Sequence, residues 1–145
     1  MGQSPSGNTY GNNGMEFHQG KIMFANKVVG VSPTRTTNPI KIAEPGSILM
    51  SVRAPVGDIN LCDRQLCIGR GLCSIKPYNP NLLDYLFLSL QSNKKYFEDN
   101  STGTTFKAIN REIIEHFVVN VPPESELTRV IDKARKLEEL FHQII

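Results

Sequence analysis

The chain has no hydrophobic run long enough to cross a membrane, and its N-terminus lacks the features of a signal peptide. A membrane-spanning helix needs about 18 or more apolar residues in succession. A signal peptide would begin with a basic region followed by an apolar one, whereas residues 1–14 are mostly Gly, Asn, Ser and Pro. These absences predict a cytoplasmic protein with no membrane segment.

Cysteine is scarce, with three residues in 145. An odd number without a secretion signal disfavours disulfides, and the spacings do not form the CxxC pairs of a zinc site. No histidine is close to a cysteine in the sequence, so no structural metal is predicted. We expect the three cysteines to be small hydrophobic residues on strands, namely Cys62, Cys67 and Cys73.

Motifs for catalysis and cofactor binding are also missing. Gly-Arg-Gly at residues 69–71 lacks the third glycine of a dinucleotide-binding fingerprint, and there is no phosphate-binding P-loop. Val-Pro-Pro at residues 121–123 lacks the Asn and the aromatic residue with which adenine methyltransferases hold a flipped base. No Cys/His or Ser/His pair has a recognisable spacing. The sequence therefore predicts a protein that is not an enzyme and has no cofactor.

The charge of the chain is weakly positive and unevenly distributed. A formal net charge of +2 is too small by itself to argue for nucleic-acid binding. Lys and Arg outnumber Asp and Glu by twelve to nine in residues 1–123, whereas residues 124–145 hold four against five. The basic excess therefore lies in the predicted globular part, where an anionic partner would bind.

Short apolar stretches separated by Gly or Pro dominate the first half of the chain. The strongest strand signal is SILMSVRA at residues 47–54, between the turns EPG and PVGD. MEFHQGKIMF at residues 15–24 predicts a strand and a turn. INLCD at 59–63 and LCIGRGLCSIKP at 66–77 predict further short strands. Their close spacing predicts an α+β fold built on a curled, mostly antiparallel sheet.

The middle of the chain contains helix signals. Asn79 followed by Pro80 predicts a helix start, because Asn caps helices and Pro suits the first turn. The broad apolar face that follows predicts a core helix. Residues 110–116 predict a helical turn, and FVVNV at residues 117–121 predicts a final strand.

Beyond residue 123 the chain contains neither Gly nor Pro, and apolar residues recur at spacings of three and four. This is the seam of a coiled coil. Because a helix of about three heptads is marginal alone, the seam predicts a partner helix, with a homodimer as one way to supply it. The alternative is a helix folded back onto its own domain. The seam residues are Leu127, Val130, Ala134, Leu137, Phe141 and Ile144.

Several stretches of the sequence occur in a particular order. They are GQSP at residues 2–5 with Tyr10, QGK at 19–21, PGSILMSVRAPVG at 45–57, TGTTFK at 102–107 through Asn110, and VPPE at 121–124 before the heptads. Together they resemble the target-recognition domain of the DNA-specificity (S) subunit of type I restriction–modification systems. The resemblance covers nearly the whole chain. It divides the chain into a recognition domain at residues 1–123 and a partial coiled-coil spacer helix at 124–145.

The resemblance implies sequence-specific binding of double-stranded DNA. In the family, each recognition domain contacts one half of a split DNA site, and the subunit positions methyltransferase and nuclease–translocase partners without catalysis of its own. A full subunit has two recognition domains and two long helices, so this chain is expected to be a half-subunit or fragment. Such a domain normally begins some tens of residues earlier, which implies that an edge strand is missing or replaced.

The stretch DNSTGTTFKAIN at residues 99–110 is the first candidate for DNA contact. Small hydroxyls and Gly let backbone N–H groups approach phosphates closely, while Lys107 supplies charge. Phe106 is expected to anchor the loop, with contact to sugar and base as the alternative. The resemblance also places basic residues in or beside DNA-facing loops. The predicted DNA-binding residues are Lys21, Arg35, Arg53, Thr104, Thr105, Lys107 and Asn110.

The sequence leaves one alternative for the basic residues and one for the function. Any one of these basic side chains could be a solvated surface charge, and Arg53, at a strand end, could have a structural partner instead. A function from another class is a protein-interaction module that acts through its C-terminal helix. Salt-dependent binding to duplex DNA would distinguish the two functions.

Overall fold

The computed structural model describes residues 1–144, excluding the side chain of His142. Eight short strands in these residues form two sheets, with strand orders β1-β3-β2-β7-β4 and β6-β5-β8. The strands are β1 (Tyr10–Gly11), β2 (Met15–His18), β3 (Arg35–Thr36), β4 (Ile42–Ala43), β5 (Ser47–Ser51), β6 (Ile59–Cys62), β7 (Leu66–Ile68) and β8 (Leu72–Ile75).

The strand pairs are mostly antiparallel, which confirms the predicted α+β fold. Among the paired strands of the described residues, only β2 and β7 run parallel. The separation into two sheets was not predicted. Adjacent β7 and β8 belong to different sheets, so the Gly-Arg-Gly turn between them at residues 69–71 connects the two sheets at one end.

In the described residues, four α-helices follow the strands: α1 (Leu83–Ser92), α2 (Lys94–Asp99), α3 (Arg111–Glu115) and α4 (Glu124–Ile144). The predicted helix start is confirmed, since the Asn79 side chain accepts a hydrogen bond from the N–H of Asn81 and Pro80 opens a short 3₁₀ turn into α1. The helical turn after Asn110 is confirmed as α3. No helix in the described residues is long and apolar enough to span a membrane.

The core lies on both faces of β5, whose five residues are all buried. One cluster joins β5 and β8 to α1 and α2 and includes the fully buried Phe97. A second cluster lies between β5 and the larger sheet. The three cysteines are free and buried on β6, β7 and β8, as predicted for small hydrophobic residues. Burial raises the pKa of the Cys73 thiol to about 11.

The predicted strand at residues 117–121 is wrong, because these residues pair with no strand. Phe117 instead packs its ring against Tyr96 and Phe97, at 5.1 Å between ring centroids in each case. Val118 and Val121 are exposed. The contacts of Phe117 and a hydrogen bond of 2.6 Å from the Tyr85 hydroxyl to the Asn120 carbonyl hold this connection, whose apolar, β-branched composition is typical of a strand.

The C-terminal helix α4 divides into two halves. Its first half packs on α1, with Leu127 buried, Ala134 half-buried and Arg135 paired with Asp84 of α1 at 3.3 Å. In the second half, the apolar side chains from Leu137 onward are exposed. The alternative of a helix folded onto its own domain therefore holds for the first half of the seam and not for the second. The exposed apolar residues are Leu137, Leu140, Phe141 and Ile144.

The final residue of the predicted helix, Ile145, lies outside the described residues. The division of the chain at residue 123 into a recognition domain and a spacer helix stays a prediction, because α4 contacts α1 along only part of its length. The pairing of α4 with another chain also stays a prediction.

A buried carboxylate holds the β2 strand against two loops. Glu16 accepts hydrogen bonds from the Arg64 guanidinium at 2.8 and 2.9 Å, from the Ser32 N–H at 2.9 Å and from His18 Nε2 at 2.7 Å. Arg64 also donates to the carbonyl oxygens of residues 29 and 30. Burial acts to raise the pKa of Glu16, but these hydrogen bonds outweigh it and lower that pKa from 4.5 to about 2.

We expect Glu16→Gln to lower the free energy of unfolding by roughly 2 to 3 kcal/mol at pH 7, because Arg64 would lose its buried anion. Since the folded pKa of Glu16 is depressed, its contribution is present above about pH 4.5 and is lost as the pH falls toward 2. Chemical denaturation of both proteins across this range should therefore show their stabilities converging at low pH.

Asp63→Asn is the matched control. Asp63 pairs with the same guanidinium at 2.6 Å, but its side chain is 56% exposed, so its removal should cost less than about 1 kcal/mol. Equal losses in the two variants would contradict the structural role of Glu16.

Candidate nucleic-acid interface

Hydrogen bonds of the backbone and of the Ser4 side chain connect several loops at one end of the two sheets. The Ser4 hydroxyl donates to Gln19 Oε1 at 2.8 Å and accepts from the Arg70 N–H at 3.2 Å. The Gly71 N–H donates to the Gln19 carbonyl at 3.0 Å. The sequence motifs at residues 2–5 and 19–21, distant from residues 69–71 in the chain, therefore meet there.

Glycine permits the closest of these contacts. A Cβ at Gly71 would lie 2.6 Å from the Gln19 carbonyl oxygen, and a Cβ at Gly2 would lie 2.2 Å from the carbonyl oxygen of Gly69. Real Cβ atoms do not approach backbone atoms so closely. The glycines of this region are thus explained by packing between loops, without a nucleotide ligand.

The contacts continue through Val52 to the stretch that contains Lys107. The Val52 N–H donates to the Gly71 carbonyl, and the Val52 carbonyl accepts from the Ile109 N–H, both at 2.9 Å. The Ala54 N–H donates to the Lys107 carbonyl at 2.9 Å. We call this connected set of residues the loop ladder; it comprises residues 2–5, 19–20, 69–71, 52–54 and 102–109.

The last segment of the loop ladder is a small hairpin. Thr102 and Ala108 exchange two backbone hydrogen bonds of 2.9 Å, which close a tip of five residues. Gly103 has a φ of +109°, and a Cβ there would lie 2.5 Å from the Phe106 carbonyl oxygen. Only Gly adopts this conformation readily, so the sequence Thr-Gly-Thr-Thr-Phe-Lys forms a tight projecting turn.

The loop ladder contains three cations and no acidic residue. Arg53, Arg70 and Lys107 are exposed. Among the described residues, the guanidinium groups of the two arginines and the ammonium of Lys107 make no hydrogen bond and no ion pair. By contrast, the helix cations Lys95 and Arg111 pair with acids one turn away. The ladder therefore presents unpaired positive charge on a backbone held by hydrogen bonds.

Four of the predicted DNA-binding residues lie together on this surface. Arg53 forms a backbone bridge to Ala108, and Thr104, Thr105 and Lys107 occupy the exposed hairpin tip. Within residues 1–144 the two threonine hydroxyls have no hydrogen-bond partner. They can donate to an oxygen of a ligand.

Asn110 lies directly after the hairpin, where its side chain caps α3. Its Oδ1 accepts a hydrogen bond from the Ile113 N–H at 3.1 Å. A bidentate contact to adenine uses both the oxygen and the nitrogen of an Asn side chain, so such a contact would require Asn110 to give up the cap.

Lys21 follows the ladder residue Gly20, but its ammonium is engaged. Asp58 accepts hydrogen bonds from Lys21 and, at 2.7 Å, from Lys94. Burial opposes ionisation of Asp58, yet the two ammonium groups outweigh it and hold its pKa below the ordinary value. Lys94 also pairs with Glu98 at 3.6 Å, so two carboxylates balance the two lysines and the Lys21 ammonium is not a free positive charge.

Arg35 lies outside the loop ladder. It pairs with Glu16 in the β2–β3 register, and its guanidinium donates to the Gly14 carbonyl at 2.9 Å. Gly14 precedes β2, whereas the ladder residues Gln19 and Gly20 follow it. The structure therefore does not group Arg35 with Arg53 and Lys107.

The expectation that Phe106 anchors its loop is wrong. Its side chain is 85% exposed, and the loop is held by the Thr102–Ala108 pair and by its bonds to Val52 and Ala54. Backbone hydrogen bonds, and not the aromatic side chain, hold this loop in place.

Arg70 is a candidate that sequence reasoning missed. In the sequence, Gly-Arg-Gly resembles an incomplete dinucleotide-binding fingerprint, which does not indicate contact with DNA. An exposed cation between two glycines, in a turn between strands, was the available signal, since Gly allows close approach of both loops and ligands.

The ladder suits an anionic ligand better than a metal or a cofactor. Among the described residues, no group of three His, Cys, Asp or Glu side chains could hold a metal ion. Backbone N–H groups, threonine hydroxyls and guanidinium groups are the donors that proteins use for phosphate oxygens.

Comparison with known proteins identifies relatives that share this arrangement of sequence and fold. Residues 6–142 match the family described as the type I restriction modification DNA specificity domain. A protein of Methanocaldococcus jannaschii, described as the MjaX type I restriction enzyme specificity subunit, is 37% identical to 97% of this chain.

Two solved structures have the same fold. The HsdS subunit from Thermoanaerobacter tengcongensis superimposes with a TM-score of 0.83 at 31% identity over 97% of this chain. A chain from a structure of type I R-M complex assembly and conformational transition gives a TM-score of 0.87 at 31% identity over 99%. This chain covers 34% of the MjaX protein and 34% and 36% of the two solved chains, about a third of each.

We expect Gly71→Ala to destabilise the fold by roughly 1 to 3 kcal/mol, because its Cβ would push residue 71 away from the Gln19 carbonyl. Gly20→Ala is the matched control, since a Cβ there would have no heavy atom within 4 Å and its φ of −162° suits any residue. Thermal unfolding measures both variants. The loop ladder would lose its packing explanation if the two were equally stable.

Proposed function

Because the chain belongs to the family of type I restriction–modification DNA specificity domains, as its sequence predicted, we propose that it binds double-stranded DNA sequence-specifically. The proposed role is that of one recognition domain of a specificity subunit, which contacts one half of a bipartite site. A chain that spans about a third of its relatives supports one such domain with part of a spacer helix.

The single observation that carries this proposal is the charge of the loop ladder. Its segments contain no acid, and Arg53, Arg70 and Lys107 are exposed without an anionic partner among the described residues. Phosphate groups of a duplex would supply the missing anions. Because backbone hydrogen bonds already hold the loops, little conformational entropy would be lost when they bind.

The proposed contacts divide into two kinds. Lys107 and the hydroxyls of Thr104 and Thr105 would position the domain on phosphates, which carry no sequence information. The arginines Arg53 and Arg70 can each form two hydrogen bonds with one guanine, which is the commonest base-specific contact. Lys21 and Arg35 remain proposed contacts at the border of this surface.

The proposal assigns no catalysis to this chain. Its relatives are described as specificity subunits, and the ladder supplies donors for binding without a nucleophile or an acid–base pair. Methyltransferase and nuclease–translocase subunits are the proposed protein partners, which would carry out the chemistry at the position that this chain selects.

We expect Lys107→Ala to weaken binding to every duplex sequence and to reduce the slope of log K against log salt by about one unit, since one phosphate contact would be lost. Fluorescence anisotropy at several salt concentrations measures both quantities. Lys133→Ala, which removes an exposed ammonium of α4 outside the ladder, should change neither. An unchanged slope for Lys107→Ala would mean that this lysine contacts no phosphate.

A second surface favours protein association. The half of α4 that extends beyond α1 exposes four apolar side chains, and surface apolar groups of this kind mark sites of protein association. We propose that they pair with the same helix of a second copy. In the family the equivalent helices pack antiparallel, so a two-fold dimer would carry two recognition domains. This proposed role of α4 in pairing agrees with a boundary at residue 123 between the recognition domain and the spacer helix.

We expect Leu137→Asp to weaken self-association at least tenfold, because a charge would be buried in the helix pair. Leu137 is 48% exposed, so the domain should remain folded. Sedimentation velocity over a range of concentrations measures the shift toward monomer. Gln143→Asp adds the same charge at an exposed position outside the heptad seam and should have a smaller effect.

A wild-type chain that stays monomeric throughout the micromolar range would reject the homodimer. The DNA-binding proposal does not depend on that outcome, because the loop ladder and the exposed half of α4 share no residue.

A further inference from the structure

Phe106 is an aromatic side chain held in solvent at the tip of the loop ladder. It is 85% exposed, and none of the ring contacts in residues 1–144 involves it. Other aromatic side chains of the chain, such as Phe87 and Phe97, are buried in the core. A single exposed apolar side chain is ordinary at a protein surface, but Phe106 lies on a hydrogen-bonded loop next to exposed hydroxyls and cations.

Hydrogen bonds hold the backbone on which Phe106 lies. The Thr102–Ala108 hydrogen bonds close the hairpin, and the contact between Gly103 and the Phe106 carbonyl makes its turn tight. The hairpin is attached in turn to Val52 and Ala54. The tip is therefore a projection with a fixed base, on which the ring points away from the core.

The neighbours of Phe106 are suited to the outside of a nucleic-acid duplex. Lys107 follows it directly, and Arg53 lies beside the hairpin base through its bridge to Ala108. Thr104 and Thr105 are small and carry hydroxyls, and residues 100–110 contain no acid. These two cations would bind phosphates and bring the tip against the base pairs of the duplex.

We infer that Phe106 inserts into a bound DNA duplex as an apolar wedge that separates two neighbouring base pairs. This inference rests on the proposed DNA binding and adds a deformation of the DNA to it. Apolar side chains inserted at base steps partly unstack them and kink the duplex. The cost of unstacking depends on the sequence of the step, so the wedge would contribute to specificity without a hydrogen bond to any base.

The test begins with duplexes that the wild-type chain selects from a random pool. 2-Aminopurine, whose fluorescence rises when its stacking is lost, is then placed at each position of a selected duplex in turn. Wild type should raise the fluorescence at one step. Phe106→Ala should abolish this rise and weaken binding about 5- to 100-fold, with an unchanged salt slope because the side chain carries no charge.

Three variants make the result specific. Phe106→Tyr retains a ring of similar size and should keep most of the fluorescence rise. Lys107→Ala should lower the salt slope while the fluorescence rise at saturation remains. Tyr78→Ala removes another fully exposed aromatic, outside the ladder, and should change nothing. Because all three positions are exposed, circular dichroism should show an unchanged fold.

The outcomes separate the wedge from the function on which it rests. Salt-dependent binding with full affinity and full fluorescence in Phe106→Ala would reject the wedge and leave DNA binding intact. That result would assign the exposed ring to a protein partner. If wild type selects and binds no duplex DNA, the proposed function fails, and the wedge fails with it.

Discussion

Val52 directly follows β5, the most deeply buried strand, and its backbone N–H and carbonyl join that strand to two other segments of the loop ladder, residues 69–71 and 102–109. Its N–H donates to Gly71, and its carbonyl accepts from Ile109, while its side chain lies in the core next to the fully buried β5. The positions of the loops are thus set by core packing. A loop held in this way can carry exposed cations and an exposed ring without contributing to the core itself.

Much of the fold could be predicted because its signals are local. Asn79 with Pro80, and Asn110, cap helices through bonds to residues two or three positions away. Alternating apolar residues between Gly and Pro corners likewise indicated the strands. The loop ladder could not be derived in this way, because a contact such as Gly71 to Gln19 joins residues far apart in the sequence. The family resemblance placed Lys107 near DNA, but only the structure grouped it with Arg70.

The incorrect expectations share one physical cause, which is that exposure is decided by tertiary contacts. A short run of apolar, β-branched residues fits both a paired strand and the connection at residues 117–121, where the ring of Phe117 packs against other rings. Phe106 is large and apolar, as an anchoring side chain would be, but backbone hydrogen bonds hold its loop without it. The heptad of α4 fits either a partner or its own domain, and α1 is long enough to cover only its first half.

The weak net charge of +2 does not measure the attraction of the loop ladder for an anion. Cations on the helices, such as Lys95 and Arg129, are balanced by acids three or four residues away, and Lys21 is balanced in part by Asp58. The ladder cations lack such acids. Salt screens charges beyond about 8 to 10 Å, so a bound phosphate responds to the charges near it and not to the net charge of the whole chain. A nearly neutral chain can therefore present one basic surface, because several cations outside the ladder are paired with acids whereas the three ladder cations have no acidic partner among the described residues.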